Sequence, residues 1–168
     1  LASGAAGSSD TAVDSEFHGC IMYNNGWRGP DRGHGICMYL QNKEGVKTVS
    51  NCIMSSRFQG TFTMHAYGSS KAYVDNLLFE YNIAYGLGNF LVGGGRPSRN
   101  IRALRNYMHG VSMQLGWAGT RNEDCEVRDN VIAGGRLMIQ NYAKVEQSGN
   151  TVEAGASRAA LIPNKFDP

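Results

Sequence analysis

Positively charged residues recur about once in every 25 positions through the middle of this 168-residue chain. A cation can neutralise a carboxylate or a sulfate, and a neighbouring aromatic ring can pack on the face of a sugar. The cations are Lys43, Lys71, Arg96, Arg99, Arg121 and Lys144, and the aromatic residues among or beside them are Tyr39, Tyr67, Trp117 and Tyr142. This pattern predicts a binding surface for an acidic or sulfated glycan. Ordinary solvated turns are the alternative, because exposed lysines and arginines are common.

The elements that must position these residues form a repeat. Five short runs share one pattern, and their first residues follow one another at intervals of 26, 27, 22 and 25 residues. Those first residues are Met38, Met64, Leu91, Met113 and Met138. A period of this size is typical of a solenoid, in which successive coils bury their apolar faces on one another. The cations and aromatic residues are therefore expected to lie along a long, repetitive surface.

An asparagine closes a strand-like run in each coil. These asparagines are Asn51, Asn82, Asn106, Asn130 and Asn150. Coils stacked in parallel place equivalent residues about 4.8 Å apart, so stacked amides can hydrogen-bond in a ladder. We predict that this asparagine column is structural.

Alternation of side chains along each strand divides the repeat into inward and outward columns. If the first residues of the five runs point inward, one outward column holds Tyr39, His65, Val92, Gln114 and Ile139. A second outward column then holds Gln41, Tyr67, Gly94, Gly116 and Asn141. In the third and fifth coils a different register, with Phe90 and Val92 or Leu137 and Ile139 inside, would be equally apolar.

Four runs of the repeat, at 35–40, 51–54, 105–110 and 129–135, resemble the right-handed parallel β-helix proteins of the pectate-lyase-like superfamily. The resemblance covers roughly residues 17–153. It implies an all-β, single-stranded right-handed parallel β-helix of about five to six coils. That superfamily holds polysaccharide lyases, glycoside hydrolases, tailspikes and adhesins, so the fold alone selects no reaction.

Neither outward column contains Asp or Glu. Glycoside hydrolysis normally needs two carboxyl groups beside the scissile bond, and a calcium-dependent lyase needs a cluster of carboxylates. The Gly-His-Gly run at 33–35 resembles a polygalacturonase motif, but the Asn-Thr-Asp and Asp-Asp motifs of that family are missing. We therefore expect neither a hydrolase of this type nor a metal site, and no cofactor.

If the chain cleaves a polysaccharide, the resemblance implies β-elimination. His65 or Lys71 would then act as the base, Tyr67 as proton donor to the leaving oxygen, and Arg96 with Arg121 as carboxylate neutralisers. Further candidates for substrate binding are Tyr39, Gln41, Gln114, Trp117 and Asn141, together with Trp27 and His34 from the longest loop between coils. The rival interpretation is a non-catalytic structural or adhesive module, or a fragment of a larger surface protein.

The cysteines bear on the compartment. Matching the run at 19–22 to the run at 51–54 places Cys20 and Cys52 in one column of successive coils, where a disulfide is geometrically allowed. Two buried free thiols are the alternative. Cys37 and Cys125 complete the set, and none of the four has the spacing of a metal site. We expect a secreted or cell-surface protein.

The flanks of the repeat differ from it in composition. We predict a flexible Gly/Ala/Ser-rich segment at 1–16, the β-helix at 17–153 and a tail or cap at 154–168. The N-terminal stretch would be a poor cap, so missing coils, a partner subunit or end-to-end self-association are open expectations. A formal charge of +2 is too small to indicate nucleic acid. No apolar run reaches the roughly 18 residues that a membrane span needs.

Overall fold

A computed structural model of the chain describes residues 6–8, 11–25, 27–31, 33–56, 62–86 and 88–153. This part is all-β and contains no helix. In chain order its strands are β1 (Ala6–Ser8), β2 (Glu16–His18), β3 (Ile21–Tyr23), β4 (Trp27–Arg28), β5 (Gly33–His34), β6 (Met38–Leu40), β7 (Lys47–Ser50), β8 (Ile53–Ser56), β9 (Phe62–Gly68), β10 (Asp75–Glu80), β11 (Ile83–Gly86), β12 (Asn89–Gly94), β13 (Arg99–Leu104), β14 (Tyr107–His109), β15 (Ser112–Leu115), β16 (Asn122–Arg128), β17 (Val131–Ala133), β18 (Leu137–Ile139), β19 (Tyr142–Ser148) and β20 (Thr151–Glu153).

Three parallel sheets enclose the core. Sheet A has the order β1-β6-β9-β12-β15-β18, sheet B the order β19-β16-β13-β10-β7-β2, and sheet C the order β20-β17-β14-β11-β8-β3. Each coil adds one strand to each sheet, which gives a β-solenoid of about 5 turns. The predicted parallel β-helix is therefore confirmed. The sheets include β1 and β2, while residues 154–168 of the predicted tail lie outside the described residues.

An antiparallel hairpin interrupts the solenoid between β3 and β6. Its strands β4 and β5 pair Trp27 with His34 and Arg28 with Gly33. The two predicted binding residues of the longest loop thus lie opposite one another in the hairpin.

The inward register is confirmed in the first, second and fourth predicted coils. In the third and fifth the alternative register, with Phe90 and Val92 or Leu137 and Ile139 inside, is the one that forms. Met38 pairs with Met64, but Met64 pairs with Phe90, and Met113 pairs with Leu137. A register shift between Asn89 and Phe90 accompanies the change. These residues are part of a methionine-rich core, in which each fully buried Met or Phe contributes about 1.5 to 3 kcal/mol.

The outward column of sheet A changes accordingly. It holds Tyr39, His65, Leu91, Gln114 and Met138. The predicted outward Val92 and Ile139 stand instead in the inward column with Leu40, Ala66 and Leu115. In the second column Gly93, rather than Gly94, pairs with Tyr67.

The asparagine ladder is confirmed for four of its five predicted members. The Nδ2 group of Asn82 donates to Oδ1 of Asn106 at 3.0 Å, that of Asn106 to Asn130 at 3.0 Å, and that of Asn130 to Asn150 at 2.8 Å. The same oxygens also accept bonds from the backbone N–H groups of Asn82, Asn106 and Asn130. Each rung therefore joins two coils by side chain and backbone together.

The prediction for Asn51 is wrong by one position. Cys52 stands at the ladder position and donates its backbone N–H to Oδ1 of Asn82 at 3.0 Å. Asn51 precedes it with φ 53°, in the left-handed region, like Tyr81, Arg105 and Asp129 in later coils. This column of left-handed residues makes the sharp turn from sheet B to sheet C.

The last described coil exposes part of the core. Val145 and Val152 stand in the inward columns of sheets B and C, below Cys125 and Ile132. They are nevertheless 43% and 48% exposed. Within the described residues, no strand pairs with the free edges of β18, β19 and β20.

Candidate functional site

Four rings form an aromatic patch on the outer side of sheet A: Tyr39, Phe62, His65 and Tyr67. Tyr39 and His65 are register partners in β6 and β9, with ring centroids 6.0 Å apart. The centroid of His65 lies 4.2 Å from that of Phe62 and 5.1 Å from that of Tyr67. Alternation places His65 and Tyr67 outward because their neighbours Met64 and Ala66 are core residues. The patch thus presents phenol and imidazole edges on an otherwise apolar surface.

His65 is the most perturbed titratable group of the patch. Burial lowers its pKa from 6.5 to about 4. Its Nε2 atom is buried and has no hydrogen-bond partner. The surrounding rings offer no carboxylate that would stabilise an imidazolium. The ring is therefore neutral at pH 7, and a base of such low pKa has little driving force for taking a proton from carbon.

This low pKa predicts a loss of stability in acid. The unfolded chain binds a proton at His65 more tightly than the folded chain does, so stability falls as the pH drops from 6.5 to 4. The expected loss is about 3 kcal/mol. Urea unfolding of wild type and His65→Phe across this range measures it, because phenylalanine keeps an aromatic ring without a proton site. Parallel curves for the two proteins would contradict the low pKa.

A second cluster lies on the turns between sheets A and B. The guanidinium of Arg96 stacks 3.5 Å from the ring centroid of Tyr73, and Nζ of Lys43 lies 5.5 Å from the same centroid. Lys43 and Arg96 come from the coils on either side of Tyr73. We name Lys43, Tyr73 and Arg96 the cation–tyrosine cluster. The sequence pattern indicated both cations but missed Tyr73, which lies on the turn between β9 and β10, outside the repeated strand run.

Three of the six predicted cations are engaged by carboxylates. Arg99 pairs with Asp75 at 3.1 Å, Lys144 with Glu146 at 2.8 Å, and Lys43 with Glu44 at 3.4 Å. Asp75 is almost fully buried, and this burial raises its carboxyl pKa although Arg99 opposes the change. Across the described ranges, no carboxylate lies within 4.0 Å of a charged nitrogen of Lys71, Arg96 or Arg121. These three cations are available to an anionic ligand.

The four residues predicted for catalysis gather at the end of β9 and the turns beside it. His65 and Tyr67 are in ring contact. Arg96 donates from Nη1 to the carbonyl oxygen of Ser70 at 3.3 Å, next to the exposed Lys71. Among the described groups, however, no hydrogen bond joins His65 to Tyr67 or to Lys71, so no proton relay connects the predicted base with the predicted acid.

Apart from Trp27 and His34 of the hairpin, the predicted binding residues divide into two groups along the axis. Gln41 lies by the patch, where its Nε2 donates to the Tyr39 hydroxyl at 3.3 Å. The other group belongs to later coils and comprises Gln114, Trp117, Arg121 and Asn141. Nε2 of Gln114 donates to Oε1 of Gln140 at 3.1 Å, and Asn141 donates to the Ala118 carbonyl at 3.3 Å. Leu91 separates His65 from Gln114, so the two groups lie roughly 10 Å apart.

A small cavity of about 80 Å³ lies on sheet B, away from the aromatic patch. Its lining carries charges of both signs from Arg102, Glu126, Lys144 and Glu146. Glu126 and Glu146 both bond the guanidinium of Arg128 at 3.0 Å. The charges of this cavity therefore largely neutralise one another.

Two further observations concern the described part as a whole. It contains no group of three or more His, Cys, Asp or Glu side chains placed to hold a metal ion. It also contains no helical segment with the length and apolarity that crossing a bilayer requires. No protein-family model, no curated protein and no solved structure matches this chain.

Proposed function

We propose that this β-solenoid is a secreted or cell-surface protein of the pectate-lyase-like superfamily that binds an acidic polysaccharide without cleaving it. The ligand lies across the aromatic patch of sheet A and reaches the cation–tyrosine cluster on the adjoining turns. The observation that carries the proposal is the stacking of Arg96 on Tyr73 at 3.5 Å, with no carboxylate on Arg96 among the described residues.

Arg96 is suited to bind a carboxylate or a sulfate. A guanidinium offers five N–H donors in one plane, and a ring stacked on its face occupies none of them. One of these donors, on Nη1, bonds the Ser70 carbonyl oxygen, which also holds the group in place. Lys43 adds a second positive charge beside the same ring. An anionic group of the ligand can therefore bind a guanidinium that is already held in position, instead of a flexible lysine side chain.

The aromatic patch supplies the neutral part of the contact. Tyr67 is 38% exposed and lies beside the half-buried Tyr39 and His65. Exposed tyrosine combines a large apolar ring with a hydroxyl, which suits the mixed apolar and polar face of a sugar. Gly68 directly follows Tyr67, and a Cβ atom added to it would lie only 3.3 Å from Cβ of Arg96. The end of the patch and the cation–tyrosine cluster are thus contiguous.

Binding without cleavage is favoured by the chemistry of the groups present. The outward column of sheet A contains no carboxylate, since its residues are Tyr39, His65, Leu91, Gln114 and Met138. The low pKa of His65 also makes its imidazole a weak base. The roles suggested for His65, Lys71, Tyr67 and Arg96 in β-elimination stay predictions. Release of unsaturated sugar ends, followed by ultraviolet absorbance, tests them in the same incubations.

The test of the proposed function compares two arginines in similar surroundings. Arg96 stacks on Tyr73 between sheets A and B, whereas Arg105 lies 5.6 Å from the ring centroid of Tyr81 between sheets B and C. We expect Arg96→Gln to weaken binding of polygalacturonate or heparin about 10-fold, the effect of losing one charge-assisted hydrogen bond, and Arg105→Gln to change it less than about 2-fold. Isothermal titration calorimetry measures both.

Neutral dextran serves as the ligand control and should not bind. Equal losses in the two variants would mean that only net charge matters, and failure of the wild type to bind both anionic polymers would reject the proposal. Binding of polygalacturonate alone, or of heparin alone, would separate a carboxylate ligand from a sulfated one.

A further inference from the structure

Cys20 and Cys52 face one another on neighbouring coils. Before them His18 pairs with Ser50, and after them Ile21 pairs with Ile53, so the two cysteines are register partners. The backbone confirms this, because the Ile53 N–H donates to the Cys20 carbonyl oxygen at 2.9 Å. Neighbouring parallel strands lie about 4.8 Å apart, which falls within the Cα separation that a disulfide spans.

The two thiols are free but in contact. The Cys20 side chain is close enough to the Cys52 thiol to add to the rise in its pKa, behind the larger effect of burial. Cys52 Sγ also lies 3.4 Å from the carbonyl oxygen of Phe17, on the strand that leads to Cys20. Both side chains therefore point into the same space between the first two coils, so oxidation needs no large backbone movement.

These cysteines occupy the ladder position of their coils. In the later coils that position is held by Asn82, Asn106, Asn130 and Asn150. The ladder of side-chain amides ends at Asn82, whose Oδ1 accepts the backbone N–H of Cys52. A thiol cannot continue this ladder, because each rung needs a side chain that is both a strong hydrogen-bond donor and a strong acceptor. The first two coils thus lack the asparagine side-chain bonds of the later coils, and the side chain of Ser50 instead bonds those of Glu16 and His18 across them.

We propose that Cys20 and Cys52 form a disulfide that takes the place of the asparagine ladder between the first two coils, with a small-molecule disulfide such as oxidised glutathione as the oxidant. The bond closes a loop that contains the β4–β5 hairpin. It stabilises the N-terminal end of the solenoid chiefly by restricting the unfolded chain. This inference is independent of the polysaccharide ligand.

The order of reaction follows from exposure. Cys20 is partly exposed, whereas Cys52 is buried and its burial raises the pKa of its thiol. The Cys20 thiolate attacks one sulfur of oxidised glutathione, and one glutathione thiolate leaves. The Cys52 thiol then loses its proton, attacks Cys20 Sγ and displaces the second glutathione. Two protein thiols become one disulfide while one glutathione disulfide becomes two glutathione thiols.

The experiment equilibrates the folded, fully reduced protein with a mixture of oxidised and reduced glutathione. Free thiols are then counted in denaturant, and peptide mapping without reductant locates any link. We expect the count to fall from four to two, with the Cys20 and Cys52 peptides joined and Cys37 and Cys125 still free. We also expect the melting temperature to rise by about 5 to 15 °C relative to the reduced protein.

Cys20→Ala is the control, because Cys20 is only half-buried and its loss leaves the core residues in place. This variant should keep three free thiols and the same melting temperature in both buffers. Four free thiols in the oxidised wild type, a lasting glutathione adduct on Cys20, or a link that involves Cys37 or Cys125 would each overturn the proposal.

Discussion

Replacing Asn106 with alanine is expected to lower the free energy of unfolding by about 3 to 5 kcal/mol. Asn106 is buried, and its Nδ2 donates to the Phe79 carbonyl oxygen at 3.0 Å and to Oδ1 of Asn130 at 3.0 Å. Its own Oδ1 accepts from the backbone and the side chain of Asn82 at 3.1 and 3.0 Å. Alanine leaves these buried groups without their partner and opens a small polar void, and each unsatisfied group costs about 1 to 3 kcal/mol.

Urea unfolding measures this loss, and Asn51→Gly is the matched control. Asn51 lies on the equivalent turn of an earlier coil but is exposed, with a positive φ that Gly19 and Gly149 adopt at the equivalent positions. Its replacement should change the unfolding free energy by less than about 0.5 kcal/mol. Similar losses in the two variants would mean that the ladder adds nothing beyond an ordinary turn asparagine.

Gly116→Ala is expected to lower the free energy of unfolding by about 3 kcal/mol, for a steric reason. Gly116 has φ 86°, a backbone conformation that L-residues rarely adopt. A Cβ atom there would overlap the carbonyl oxygen of Gln140 and lie 2.8 Å from the amide of Asn122. Asn122 follows in the same coil, but Gln140 belongs to the next one, so the two coils would have to move apart at the turn between sheets A and B.

Gly95→Ala is the control for this substitution. Gly95 is exposed in the preceding coil, close to the same turn, and no atom lies within 4 Å of the Cβ that alanine would add. We expect a change below about 0.5 kcal/mol in either direction. Thermal unfolding of both variants by circular dichroism distinguishes them, and a neutral Gly116→Ala would show that the coils yield at this point.

The register of the repeat could be predicted only where the sequence alternates clearly. Met38 and Met64 are followed by polar or aromatic residues, and their inward position was predicted correctly. Phe90, Leu91 and Val92 are all apolar, so a period of two cannot choose between them. Leu91 is moreover fully buried although it faces outward. Burial on both faces of a strand removes the alternation on which such a prediction depends.

The error at Asn51 has a different origin. Asparagine suits both a left-handed turn residue and a ladder position, because its short amide can hydrogen-bond locally or across coils. In the coil that contains Asn51 and Cys52, the asparagine is the left-handed turn residue and the cysteine stands at the ladder position. The residue type at a single position therefore could not show to which of the two adjacent columns that position belongs.

The candidate site was predicted as a set of residues but not as a set of contacts. Outward placement of Tyr39 and His65 follows from the repeat. Whether a cation is free depends on residues of other coils, as with Arg99 and Asp75, and the repeat does not encode their separation. The stacking of Arg96 on Tyr73 likewise joins residues of two different turns. Contacts of this kind follow from how turns of unequal length meet in space.

The half-exposed Val145 and Val152 imply that the apolar contacts between neighbouring coils are not equally extensive along the solenoid axis. Each coil of a solenoid is held by its neighbours, and a terminal coil has one neighbour fewer. Separating β18, β19 and β20 from the preceding coil would lose little buried apolar contact at these two valines. Separating the coils around Phe79 and Phe90 would instead expose fully buried apolar side chains to water. Among the described residues, the coil of β18, β19 and β20 is thus held by less apolar contact than the coils in the middle, and we expect it to open before them when the protein melts.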